Sequence, residues 1–93
     1  MSFISLAFSS KRVKTLAELP VGARGVVVEV GTANAVRADR LLSLGVTPGA
    51  RVCVLQTLPG VVFLCDQTEL AVERSVAGAI GIRVEQSPEE ARS

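Results

Sequence analysis

The apolar residues of this chain come in short runs of two different periods, punctuated by glycine and proline. Arg24-Gly25-Val26-Val27-Val28-Glu29-Val30-Gly31 is a β-branched run bounded by glycines and reads as a strand. Before it, Thr15-Leu16-Ala17-Glu18-Leu19 has an i, i+3 apolar step stopped by Pro20 and Gly22, which suits a single helical turn or an edge segment. Over residues 32–44 the period becomes helical: Ala35, Ala38, Leu41 and Leu42 share one arc, with Asp39, Arg40 and Ser43 opposite. Gly45 then stands where a left-handed residue ends a helix, and Val46 where its apolar contact belongs. Thr47-Pro48-Gly49-Ala50, with Pro second and Gly third, predicts a type II turn.

Residues 51–57 and 61–66 are two further β-rich runs, joined by Leu58-Pro59-Gly60 as a hairpin. Symmetric pairing about that loop sets Cys53 directly opposite Cys65. Residues 69–72 alternate like a short strand, residues 73–78 fit a helical turn, and residues 79–84 make the last strand. A domain at 15–85 is expected, between an N-terminal tail at 1–14 and a polar tail at 86–93. Phe3, Ile4, Ala7 and Phe8 fall at helical spacings that would allow the first tail a short amphipathic turn, but a disordered or partner-docked extension is the expectation. Four or five short strands with one inserted helix are too few for a sandwich. They can close into a small, mostly β barrel that hides its sheet edges.

Composition narrows the chemistry more than it narrows the fold. The chain has 93 residues, 48% of them hydrophobic, and its only aromatic residues are Phe3, Phe8 and Phe63, so the core must be aliphatic. The net charge is +1, far from the basic field of a dedicated nucleic-acid binder. Seven basic against three acidic residues over 1–51, and three against six over 52–93, make a weak dipole that names no partner. His, Tyr and Trp are absent, which removes the commonest general base, the commonest metal ligand and the usual base-stacking platforms together. The apolar run 3–8 precedes Lys11, Arg12 and Lys14, the reverse of a secretory signal, and is too short to span a bilayer. A cytoplasmic location is expected.

The order of signals is more specific than any one of them. Leu16-x-x-Leu19-x-x-Gly22-x-x-Gly25-x-Val27 opens the domain, and Arg40-Leu41-Leu42-x-Leu44-Gly45-Val46-x-Pro48-Gly49-x-x-Val52 leads from the helix into the next strand. Glu69-Leu70-Ala71-Val72, Ala77 and Ile80-x-Ile82-x-Val84 complete the series. Over residues 15–84 this resembles the FeoA family, small SH3-like domains associated with bacterial ferrous iron transport. The resemblance implies an SH3-like barrel of about five strands, with one inserted helix and a short helical turn before the last strand. It also implies a cytoplasmic accessory protein working beside FeoB, the membrane GTPase and Fe(II) permease. The same domain type closes some metal-dependent repressors. Two departures are the short tip Leu58-Pro59-Gly60, and Gln67-Thr68 where the family usually places a Gly before the Leu-Ala pair.

No catalytic, cofactor-binding or metal-binding residue is expected. Cys53 and Cys65 supply two thiolates where a closed soft-metal site needs about four ligands, and small apolar fillers of a hairpin are the alternative. A Cys nucleophile has no His beside it, and the carboxylates show no paired spacing. Gly22-x-x-Gly25 lacks the Gly-Lys-Ser/Thr of a phosphate loop and is read as turn geometry, as are Gly45, Pro48 and Gly49. Surfaces remain. Val36, Arg40 and Leu44 form an i, i+4, i+8 stripe opposite Ala38 and Leu42, a candidate protein contact unless Leu44 turns into the core. Val61, Val62 and Phe63 are a second candidate, or plain barrel wall. The expected function is contact with a FeoB-type permease, without a small-molecule substrate or cofactor. The alternative is a free-standing small barrel binding nucleic acid or a regulatory partner.

Overall fold

The computed structural model describes residues 13–31 and 35–86. In chain order these form β1 (Val13–Thr15), a 3-10 turn (Leu16–Glu18), β2 (Arg24–Val30), α1 (Ala35–Ser43), β3 (Arg51–Gln56), β4 (Val61–Cys65), β5 (Thr68–Val72), α2 (Arg74–Ala77) and β6 (Ile80–Gln86). All strand pairs are antiparallel, and the single sheet runs β1-β6-β2-β3-β4-β5. The mostly β architecture, the helix inserted between β2 and β3, and the short helix before the last strand are as the sequence implies. Two points differ. The sheet has six strands, not five, because Val13 and Lys14 pair with Arg83 and Ile82 of β6. Three residues centred on a lysine carry no strand period, so this element is made by its partner and not by its own propensity. The sheet is also not closed: β1 and β5 are its edges, a correction to the expected closed barrel.

Alternation along the strands places Val27, Val52, Val54, Val61, Phe63, Ile80 and Ile82 in one core with Leu16, Leu41 and Val46. No polar or charged residue is buried there. Cohesion therefore rests on apolar burial, mostly aliphatic with Phe63 as the one aromatic side chain among the described residues, at roughly 1.5–3 kcal/mol per large side chain. Gly25 is buried within β2, where a Cβ would collide with the Arg83 carbonyl and the Ile82 side chain of β6. It sits at a register shift between β2 and β6. Its role is close strand approach, which corrects the turn role predicted for it. Gly22, with φ of 94°, does serve a turn.

The β3–β4 hairpin pairs Gln56 with Val62 next to the loop, the register that symmetric pairing predicts. Between Val54 and Gln56 the register shifts by one residue, and below it Val54 faces Phe63, Cys53 faces Leu64 and Val52 faces Cys65. Because side chains alternate faces, that bulge sends the two cysteines to opposite sides of the sheet. Cys65 is buried and Cys53 half-buried, both as free thiols. They are not cross-strand neighbours, contrary to the sequence expectation.

Candidate functional site

The surface around α1 is built by the stop at its C-terminus. Gly45, at φ 95°, donates its N–H to the Leu42 carbonyl at 3.0 Å, and Val46 donates to Leu41 at 2.9 Å, the paired bonds of a Schellman motif. Leu41 and Val46, the two apolar residues of that motif, are buried together in the core. The next turn follows as predicted: Gly49 has φ 98° and the Ala50 N–H reaches the Thr47 carbonyl at 2.9 Å. These constraints fix which residues of the last helical turn face outward. Leu42 is 48% exposed and Leu44 45%. Exposure of Leu42 corrects its predicted place on the core face. Consecutive residues lie about 100° apart on a helix, and Leu41 alone takes the inward position.

Leu44 and Arg40, both outward, form one wall of a groove of about 220 Å³. Its floor and other wall come from Leu41, Ala71, Val72, Glu73 and Val76, so α1 meets the end of β5 and the start of α2 here. Val36, the third member of the predicted stripe, lies in α1, but its side chain is outside the described residues. The β5 and α2 residues were not legible as part of this site, because only the fold carries them to a helix some thirty residues earlier in the chain. Arg40 makes no ion pair among the described residues, and the groove joins aliphatic walls to one basic residue, Arg40, and one acidic residue, Glu73. Val61 and Phe63, predicted as a second contact, are fully buried and belong to the core. That candidate surface is withdrawn, since neither side chain reaches solvent.

A second cleft of about 270 Å³ lies where β2, β3, β4 and β6 meet, lined by Arg24, Arg51, Cys53, Leu64, Asp66 and Glu85 among others. Asp66 adopts φ 56° in the β4–β5 turn, a left-handed position that a short polar side chain tolerates, and so the turn forms without the Gly the family usually has nearby. It is bonded into place by Arg51, whose N–H donates to Asp66 Oδ1 at 3.2 Å and whose carbonyl accepts from the Asp66 N–H at 2.7 Å. Burial first, and the Asp66 charge second, push the Cys65 thiol pKa up. Among the described residues no three His, Cys, Asp or Glu side chains gather as a metal site would require. Among them, too, no helix is long and apolar enough to cross a membrane.

With this geometry in place, comparison with known proteins gives consistent results. Solved relatives include a FeoA from Chlorobium tepidum, 32% identical, with a TM-score of 0.70 over 77% of this chain and 70% of that one. An iron uptake regulatory protein (FeoA) is 28% identical with a TM-score of 0.68, covering 77% of this chain and 96% of its own. A FeoA from Stenotrophomonas maltophilia, solved with zinc and described as a prokaryotic SH3 domain protein, is 28% identical with a TM-score of 0.66, covering 73% of this chain and 87% of that one. A manganese-dependent transcriptional repressor at 19% identity and a TM-score of 0.73 shares the fold alone, over 77% of this chain and 41% of its own. The comparison with curated proteins gave no match. The family model for the FeoA domain matches residues 14–84, and on that match the chain belongs to the FeoA domain family, associated with ferrous iron transport.

Proposed function

We propose that this protein is a cytoplasmic, non-enzymatic accessory of ferrous iron uptake that acts by direct contact with a FeoB-type membrane GTPase permease. The carrying observation is the groove between α1 and the β5–α2 junction, with aliphatic walls and Arg40 at its rim. An arginine beside exposed apolar side chains suits a protein contact, because the buried centre of an interface is more apolar than the rest of the surface and arginine is enriched there. A standard interface takes about 800 Å² from each partner, and the groove would be its centre. Nothing in the chain's inventory suggests that it performs the nucleotide chemistry itself: it lacks His and a phosphate loop. In this reading GTP hydrolysis and ion passage belong to the partner.

The test is complementation in a strain lacking the protein. Deletion should lower ferrous uptake, and the wild-type chain should restore it. Leu44→Asp and Arg40→Glu should restore it poorly while keeping wild-type unfolding midpoints, because both side chains are exposed. Normal uptake in the deletion strain would remove the transport role. Full rescue by both variants would move the contact to another surface.

A further inference from the structure

We propose that the free edge of β5 is the line along which a partner docks, by adding a strand to the sheet. Its occupant is an extended segment of a partner chain, with alternate apolar residues and a Lys or Arg between them. This deepens the function proposed above and rests on it only for the partner's identity. The two edges of the open sheet are unlike. β1 is three residues long and centred on Lys14, the kind of short, charged strand that discourages further pairing. β5 is five residues long, Thr68-Glu69-Leu70-Ala71-Val72, with no Lys and no Pro. Its pairing with β4 runs from Cys65–Thr68 to Val61–Val72 without a shift, so no bulge twists this edge away. Beyond that ladder, residues 68–72 make no hydrogen bond or ion pair among the described residues. An antiparallel strand turns its backbone groups alternately to either side, so the outer side of β5 offers a row of unpaired donors and acceptors.

The α1 groove lies along the same edge. It is lined by α1, β5 and α2 and by no residue of β4, which puts it on the free side of β5. A strand added there turns every second side chain toward Leu41, Leu44 and Val72, and an aliphatic one suits those walls. Backbone pairing then supplies affinity and the groove selects the side chain, as where peptides join a sheet edge. Charge acts at one position. Glu69 is exposed, its β4 neighbour is Leu64, and β4 carries no charged residue. A Lys or Arg of the added strand beside Glu69 completes a cross-strand pair. Arg40 and Glu73, one of each sign on the groove, select neither. A second copy does not suit the edge, because residues 61–73 contain Asp66, Glu69 and Glu73 and no Lys or Arg. Arg74 follows, but its guanidinium is held on the Thr57 and Ala17 carbonyls at 2.7 and 3.4 Å. Pairing β5 with itself would gather carboxylates without cations.

Three short blocked peptides serve as probes: one alternating Val and Lys, one alternating Val and Glu, and the Val–Lys peptide with Pro at its centre. The readout is amide exchange of the full chain. The Val–Lys peptide should slow exchange in β5 and leave β1 unchanged, and the other two should do neither. Glu69→Lys should weaken binding of the Val–Lys peptide roughly fivefold, the worth of about one cross-strand charge pair, and strengthen that of the Val–Glu peptide. Leu44→Asp should weaken the Val–Lys peptide as well. Both variants should keep the wild-type unfolding midpoint, because both side chains are exposed. Equal binding of the Val–Lys and Val–Glu peptides, tolerance of the central Pro, or protection in β1 instead of β5 would overturn the proposal. Protection of β5 that grows with protein concentration alone would also overturn it, and would give the edge to a second copy. The permease's cytoplasmic domain should slow the same β5 amides. Binding of that domain without β5 protection would overturn this inference and leave the proposed function standing. Its failure to bind, with the Val–Lys peptide still binding, would support the edge and overturn the permease reading.

Discussion

Gly45 and Gly25 illustrate two unrelated reasons for a glycine, and substitution separates them. At Gly45 a Cβ would meet nothing within 4 Å, but φ is 95°. The cost of Gly45→Ala is therefore backbone strain, about 1–2 kcal/mol, and Gly45→Asn should recover part of it because Asn enters the left-handed region more readily. At Gly25 the backbone is ordinary for a strand, and the obstacle is the Arg83 carbonyl. Gly25→Ala should cost about 1–3 kcal/mol through overpacking, with no rescue by Asn. Urea denaturation measures all three, and faster amide exchange across β2 and β6 should accompany only the Gly25 change. Equal rescue by Asn at both positions would show that the two glycines act alike. The role of Gly45 was legible in the sequence, because a helix stop is written in neighbouring residues. That of Gly25 was not, since its obstacle comes from a strand almost sixty residues away.

The same divide between local and distant signals holds for whole elements. The helix, its stop, the type II turn and the hairpin loop were all readable, each being set within about ten residues. Edge strand β1 was not, because its pairing with β6 makes it. The β3–β4 hairpin was half legible: pairing at Gln56 follows from the loop, while the shift between Val54 and Gln56 decides everything below it. The candidate site divided in the same way, with Arg40 and Leu44 readable on their helix and Ala71, Val72 and Val76 supplied by the fold. One consequence of the bulge is chemical. Cys53 is half-buried and lines the outer cleft, whereas Cys65 is buried in the core with its thiol 3.4 Å from the Gly45 carbonyl. A thiol reagent should modify Cys53 in the native protein, leave Cys65 until the fold opens, and count two groups in denaturant. Equal native rates would mean that the two thiols share an environment, and that the register described here is wrong.

For the molecule as a whole, the absence of His predicts how stability responds to acidity. No imidazole titrates near neutral pH, so stability should be flat there, with losses only at the two ends. At the acid end one contributor is Glu18, whose carboxylate accepts from the Thr15 N–H at 2.7 Å and the Thr15 hydroxyl at 3.1 Å. Those bonds, the backbone one first, lower its pKa below the usual 4.5. A depressed folded-state pKa gives stability that is present above the unfolded value and lost as pH falls through the folded one. Glu18→Gln should therefore flatten the acid limb below about pH 4.5. Cys65 acts in the opposite sense. Burial raises its thiol above the usual 9.0, so its contribution is complete below that value and is lost as pH rises through the raised one. Cys65→Ala removes an ionisable group from the core, and although the smaller side chain lowers stability at neutral pH, it should flatten the alkaline limb. Urea midpoints measured from pH 3 to pH 11 on the wild type and both variants separate the two limbs. An unchanged alkaline limb in Cys65→Ala would mean that the buried thiol does not couple folding to alkaline pH.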